Sequence, residues 1–265
     1  MLPRGVRSGI VVSAVLGASL VGAPAQEPEL RTVHVFVALA DNQHQGIVPV
    51  PAKLGNGEDP EHNLYWGSAF GVKTFFSRSA DWARVTCGEK SKTEVLERCV
   101  FKHRASDVFL IADAYRGSEI RQAVVDFLEA AAGEGTESLH LGALADVALP
   151  IRGGANLVAY VGHDGLMDFQ LPQFPQKKNG NRRDAVILAC ASKQFFAAPV
   201  RASGAYPLLW TTGLMAPEAY TLKSALDGWI AGEDSEQIRD RAAGAYDKYQ
   251  RCGWRAAHRL FTSGW

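Results

Sequence analysis

The sequence lacks the features expected of a nucleic-acid-binding, zinc-ribbon or disordered protein. Its 265 residues include 28 Lys plus Arg and 28 Asp plus Glu, so there is no basic excess to neutralise a phosphate backbone. Only four cysteines are present and none forms a C-x-x-C pair, which argues against zinc-ribbon and thioredoxin-type sites. Glycine-rich phosphate- or dinucleotide-binding patterns are also missing. We therefore expect a folded protein with no nucleic-acid partner, no metal ion and no bound cofactor.

Long apolar runs are scarce, with one exception near the N-terminus. Arg4 and Arg7 precede an uncharged run over residues 8–21, and Ala23-Pro24-Ala25 offers a small-residue cleavage site. This pattern predicts a secretory signal peptide over 1–25, followed by an exported, periplasmic or extracellular, domain over 26–265. A membrane anchor is the alternative, but the run is shorter than the ~20 residues that a span needs. We expect no stable membrane span after signal cleavage.

Export makes disulfide bonds between the cysteines possible, because disulfides persist in oxidising compartments. Cys87 and Cys99 are twelve residues apart and flank a short polar, charged segment, which predicts a local disulfide. Cys190 differs in setting, because it ends an apolar run, and Cys252 has no evident partner.

Short apolar runs rich in β-branched residues alternate with helical periodicity. Five runs predict buried strands, over 32–40, 107–114, 156–162, 184–190 and 207–212. Helices fit between several of them: one begins at Ser118 as N-cap and ends near Gly133, one is opened by Pro217, and one covers about 235–250. This alternation predicts an α/β three-layer sandwich with a mostly parallel central sheet.

The segment 41–62 is the exception, because it is rich in Gly, Pro and Asn and has no periodicity. A loop of this length in a compact domain is often functional. Its histidines, His44 and His62, have neither H-x-x-x-H nor H-x-E spacing, so a metal site is not predicted there.

Chemistry-bearing residues follow two consecutive predicted strands. Open parallel sheets bind ligands at the carboxyl ends of their strands, where His163 and Cys190 lie, 27 residues apart. Because an imidazole beside a thiol can take its proton and generate the nucleophile, the sequence predicts a catalytic dyad. The alternative is a buried structural cysteine beside a structural histidine. Asp164 and Asp168 could fix the tautomer of His163 or bind a cation, but turn residues are the commoner interpretation.

These segments resemble the clan of cysteine peptidases that contains caspases, legumains and gingipains. The matching residues are 160–165 (YVGHDG) and 187–192 (ILACAS), and Ala189-Cys190-x-Ser192-x-x-Phe195 is similar to the legumain nucleophile segment. The resemblance implies a caspase-like topology and hydrolysis of a protein or peptide substrate through Cys190 and His163. The chain departs from the family pattern in having Asp164 between the histidine and the next glycine, and in the short connection 166–183.

The resemblance also implies roles for further residues. Asn42 stands where legumain-like enzymes have an Asn that orients the catalytic His, and Thr211 and Thr212 stand at the wall of the primary specificity pocket. If acyl transfer occurs, the backbone N–H groups of Gly165 and Cys190 are the expected oxyanion donors. Substrate preference and oligomeric state do not follow. The rival hypothesis is a catalytically inactive secreted binding module that keeps the caspase-like fold and uses the 41–62 loop for recognition.

Overall fold

A computed structural model describes Met1 and residues 30–89, 91–142 and 147–265. The predicted signal peptide over 1–25 lies almost entirely outside the described residues. None of the helices in the described part of the chain has both the length and the apolar character needed to cross a bilayer.

The centre of the fold is an eight-stranded mixed sheet. In chain order its strands are β1 (Arg31–Ala38), β2 (Trp82–Glu89), β3 (Val95–His103), β4 (Val108–Tyr115), β7 (Leu157–Val161), β8 (Asp184–Leu188), β9 (Tyr206–Thr211) and β10 (Phe261–Thr262). They lie in the order β10-β9-β8-β7-β1-β4-β3-β2. Strands β5 (Glu137–His140) and β6 (Ala148–Ile151) form a separate two-stranded sheet.

The five strands predicted from the sequence are confirmed as β1, β4, β7, β8 and β9. All five are mutually parallel, whereas β2, β3 and β10 extend the sheet with antiparallel pairings. In β1, Val33, Val35 and Val37 are buried on one face, and Phe36 and Ala38 are buried on the other. This two-sided burial explains the continuous apolar runs, because both faces of a parallel sheet are covered.

Helices cover both faces of the sheet. They are α1 (Val72–Arg78), α2 (Ile120–Ala132), α3 (Ser192–Ser203), α4 (Ala219–Ile230), α5 (Ser235–Gln250) and α6 (Trp254–Leu260). Apolar residues of α1, α4 and α5 share one core cluster with Val33, Val35 and Val37, and those of α2 and α3 share the other with Phe36. The structure is therefore α/β, with helices on both sides of a large, mostly parallel sheet.

Two of the predicted helix boundaries need correction. Ser118 is not the N-cap of α2, because it lies within a single 3-10 turn, Gly117–Glu119, that leads into the helix. Pro217 does not open α4, which begins two residues later with Glu218 as its N-cap. Gly133 does end α2, in the left-handed conformation with φ of 88°, which glycine adopts without steric penalty. The predicted 235–250 helix is confirmed as α5.

Cys87 and Cys99 form the predicted disulfide. They are directly opposite each other on the antiparallel pair β2–β3, with Cα atoms 4.1 Å apart. The spacing in sequence therefore reflects a hairpin whose two strands are covalently joined.

Candidate active site

His163 and Cys190 emerge side by side at the carboxyl edge of the sheet. Strands β7 and β8 are parallel neighbours in which Val161 pairs with Leu188, and each candidate residue follows its strand's last paired residue by two positions. Both residues line one cavity of about 290 Å³. The cavity lies beside the boundary between β1 and β7, where the parallel strands reverse their order, and open α/β sheets bind ligands at such a switch point.

The imidazole of His163 is held by one carboxylate. Its Nε2 lies 2.8 Å from Oδ2 of Asp168, and the ring is almost fully buried. Because a carboxylate only accepts hydrogen bonds, this contact assigns the proton of a neutral ring to Nε2 and leaves Nδ1 as the proton acceptor. Asp168 is thus the residue that fixes the tautomer, one of the roles that the sequence left open for it.

Asp168 also connects the histidine to the 41–62 loop. The same Oδ2 accepts a hydrogen bond from the backbone N–H of Gly46 at 2.9 Å. A Cβ atom at Gly46 would lie 2.5 Å from the carboxylate, so only glycine permits this approach. The Asp168 side chain therefore both orients the imidazole of His163 and holds the 41–62 loop at Gly46.

The turn after β8 carries Cys190, which lies between the start of α3 and the segment around Met215. Ala191 adopts the left-handed conformation, with φ of 48°, at the N-terminus of α3. The sulfur of Cys190 is 3.4 Å from the backbone N of Met215 and 3.5 Å from its O. The N–H of Met215 is thus placed to donate a hydrogen bond to a thiolate at this position. A strained residue next to a partly exposed cysteine is typical of functional turns.

Thr211 and Thr212 do not line the cavity, contrary to the expectation from the resemblance. The buried hydroxyl of Thr211 donates to the carbonyl of Ala189 and accepts from the backbone N–H of Ser192. In return, the Ser192 hydroxyl accepts from the N–H of Thr211 at 2.9 Å. Thr211 therefore braces the cysteine-bearing turn, while Thr212 bonds the backbone carbonyl of Arg259. The cavity wall after β9 begins at Leu214 instead.

Asn42 is not bonded to His163 either. Its amide donates to the backbone O of Val50 at 2.8 Å and accepts from the N of the same residue at 3.0 Å, which closes the loop 42–50. The preceding residue, Asp41, accepts from the side chain of His44 at 2.8 Å. Both side chains are thus engaged within the loop, and the acceptor for the imidazole N–H is instead Asp168, on the C-terminal side of His163.

Of the two residues expected to supply oxyanion-binding N–H groups, only Cys190 lines the cavity. Gly165 is buried at the start of a 3-10 turn, Gly165–Met167, and a Cβ there would lie 2.8 Å from the ring of Phe169. Gly46 lines the cavity, and so does Gly162, the residue before His163. The φ of Gly162 is 150°, and a Cβ would lie 2.8 Å from the carbonyl oxygen of Ala38, so glycine is required there.

Asp164 follows the histidine directly and is fully buried. One carboxyl oxygen accepts a hydrogen bond from the N of Leu166 at 3.0 Å, and the other has no partner in the described part of the chain. Burial, assisted by the nearby charge of Asp168, raises the pKa of Asp164 to about 7. Asp164 thus places a carboxyl group whose ionisation is unfavourable directly after the candidate base.

The remaining walls of the cavity are apolar. They come from the loop 46–50, from Leu64, from Met167 and from the segment 214–217 after β9. Tyr65 adds a buried phenol, and burial, with contributions from Cys190 and Glu218, holds its pKa well above the usual range. The sequence indicated the long loop as functional but gave no signal for Tyr65 or for 214–217, which reach the cavity only through the fold.

The two histidines of the 41–62 loop each pair with a nearby carboxylate. His44 bonds Asp41 and His62 bonds Asp59, each at 2.8 Å, in two separate local pairs. Within the described residues, the one group of ligand-type side chains close enough to share an ion is Cys87, Glu97 and Cys99. Its two sulfurs are joined to each other, so it does not offer thiolates.

Comparisons of this chain with protein-family models, with curated proteins and with solved structures returned no match.

Proposed function

We propose that this chain is an exported cysteine peptidase-like hydrolase that uses a Cys190–His163 dyad, as a divergent member of the caspase-, legumain- and gingipain-like group. The observation that carries the proposal is the convergence of the two side chains on one cavity, with the imidazole oriented by Asp168. Nucleophile, base and orienting group are the three parts that thiol catalysis requires.

The proposed reaction assigns one role to each of these groups. Nδ1 of His163 accepts the thiol proton of Cys190, and the thiolate attacks the carbonyl carbon of a peptide bond. The tetrahedral intermediate collapses to a thioester as the imidazolium gives the proton to the leaving amine. A water molecule, deprotonated by the same nitrogen, then hydrolyses the thioester and restores the thiol. The Asp168 carboxylate, 2.8 Å from Nε2, is placed to stabilise the imidazolium during both steps.

A caspase-like topology is part of this proposal. Numbered among themselves, the parallel strands lie in the order 2-1-3-4-5, and an antiparallel strand, β10, follows at the edge. The histidine precedes the cysteine in the chain and follows the adjacent strand, as the resemblance implies. The strand order and the order of the two residues both support the assignment.

Export is proposed from the N-terminal sequence and the disulfide. Arg4, Arg7 and the apolar run over 8–21 have the composition of a signal peptide. The Cys87–Cys99 disulfide is of a kind that persists in periplasmic or extracellular proteins.

Alkylation with iodoacetamide, followed by mass spectrometry, tests the dyad directly. A free thiol is only a few per cent ionised at pH 7, so ion-pair formation with an imidazole accelerates alkylation by up to about 30-fold. We expect Cys190 to react much faster than Cys252, and His163→Ala to abolish that advantage. Cys252 is exposed and outside the cavity, so it is an internal control whose rate stays constant.

Equal, slow labelling of Cys190 with and without His163 would refute the dyad. The rival function, a secreted binding module, would then be favoured, because the cavity and its loop walls remain available to a ligand without any reaction.

A further inference from the structure

The cavity at the dyad has no charged lining side chain among the residues that the structure describes. Its polar side chains are those of His163, Cys190 and Tyr65, and its walls are aliphatic, formed by Ile47, Val48, Val50, Leu64, Leu214 and Met215 among others. Removing the charge of an acidic or basic side chain from water is costly without a partner of opposite sign. A charged substrate side chain would find no such partner on these walls.

The apolar surface continues outside the cavity. Val48, Leu214 and Met167 are 82%, 75% and 44% exposed, and they stand at its mouth on three different segments of the chain. Large apolar side chains exposed singly are ordinary, but three converging on one opening are typical of a ligand-binding surface. The mouth therefore favours an apolar group that enters from solvent.

The volume of the cavity limits the size of that group. At about 290 Å³ it is at the lower end of small-molecule sites, which suits one large side chain and its adjoining backbone rather than a long acyl chain. The attacked carbonyl carbon must lie against the sulfur of Cys190. The side chain of the same substrate residue begins only two bonds away, so it must enter this cavity.

We propose that the protein hydrolyses peptides on the carboxyl side of a large apolar residue, such as Phe, Leu or Met, whose side chain fills the cavity formed by the loop 46–50 and the segment 214–217. This inference rests on the proposed function and specifies its substrate class. Burial of aliphatic surface supplies the affinity, and the Tyr65 phenol is the polar side chain beside the reacting centre.

The test uses fluorogenic tripeptides that are identical except for the residue before the cleaved bond, which is Phe, Leu, Ala, Asp or Arg. We expect kcat/KM for Phe and Leu to exceed that for Ala by at least about 10- to 100-fold, since an apolar pocket gives discrimination of that order for a single methylene group. Asp and Arg peptides are expected to be cleaved more slowly still. Preferred cleavage after Asp or Arg would overturn the inference while leaving the peptidase function intact.

A substitution at the mouth of the cavity tests where the substrate side chain binds. Leu214→Asp places a carboxylate beside the cavity at a side chain that is mostly exposed, so folding is not expected to suffer. The ratio of Arg to Phe cleavage should rise about tenfold, whereas the control Leu214→Met should keep the original ranking. An unchanged ratio in Leu214→Asp would contradict the placement of the substrate side chain.

Binding separates failure of the inference from failure of the function. The Cys190→Ala variant is titrated calorimetrically with the same tripeptides as uncleavable amides. If the wild type cleaves nothing but the Phe amide binds and the Asp amide does not, the apolar site is supported and the peptidase function fails. If neither cleavage nor apolar binding is found, both are refuted.

Discussion

Replacing Asp164 by Asn should change how the stability of this protein depends on pH. The carboxyl is fully buried, one of its oxygens has no partner in the described part of the chain, and Asp168 adds a second negative charge nearby. The folded protein therefore holds the proton of Asp164 up to about pH 7, whereas an unfolded chain releases it near its ordinary value of 3.8.

The sign of the effect follows from proton binding. Between pH 3.8 and about 7 the folded state binds the proton that the unfolded state has lost, so the contribution of Asp164 to stability decreases as the pH rises. It is fully present below pH 3.8 and lost above pH 7. A pKa difference of this size corresponds to about 4 kcal/mol of unfolding free energy. Asn cannot ionise, so the variant lacks this dependence.

Urea unfolding at pH 4 and at pH 8 measures the effect. Asn keeps an acceptor for the N of Leu166 but buries an amide without a partner, a cost of about 1–3 kcal/mol that does not vary with pH. At each pH we therefore take the difference in unfolding free energy between the wild type and Asp164→Asn. We expect this difference to change by about 4 kcal/mol between the two pH values, in favour of the variant at pH 8. Asp107, whose side chain is 42% exposed and pairs with Lys102, is changed to Asn as a control for the chemical substitution. A difference constant to within about 1 kcal/mol would refute the assignment of a raised pKa to Asp164.

Two further predictions concern the hairpin and the orienting carboxylate. Replacing Cys87 and Cys99 together by Ser should lower the unfolding free energy by about 3 kcal/mol, because the disulfide closes a loop in the unfolded chain. A denaturation midpoint that reduction of the wild type leaves unaltered would contradict this. Asp168→Asn should lower kcat at least about tenfold, because the charged acceptor that orients His163 is lost, while the midpoint of unfolding changes little. Asn42→Ala, which breaks loop contacts instead, should lower kcat less, and equal losses in the two variants would argue against Asp168 as the orienting group.

The central part of the fold was predictable from the sequence because each parallel strand is buried on both faces. A run such as 185–188 is apolar and buried throughout, with no half-buried alternation along it. The same logic placed His163 and Cys190 at one edge, since adjacent parallel strands deliver their following residues to the same side. Continuous apolar runs were therefore sufficient to predict the five parallel strands.

Elements at the margins were not predictable in this way. Strand β2 lies at the sheet edge, where partly exposed residues such as Arg84 and Thr86 leave no apolar pattern. Helix α3 includes Pro199 in its interior, which weakens its helical signal. Asn42 was placed near the imidazole on position alone, but the loop bends so that its amide binds Val50. The contact of Asp168 with Gly46 joins segments over a hundred residues apart and leaves no local trace.

The braced turn after β8 has a consequence for when the thiol becomes oriented. Thr211 and Ser192 tie the turn to the neighbouring strand through hydrogen bonds, and Ala191 is kept in a conformation that non-glycine residues rarely adopt. The conformational entropy of orienting the sulfur is therefore lost during folding rather than on ligand binding. Under the proposed function, contacts between a substrate side chain and the cavity walls would then only have to position the carbonyl group. A chain without the two hydroxyls would keep its cysteine but lose the fixed orientation of its sulfur.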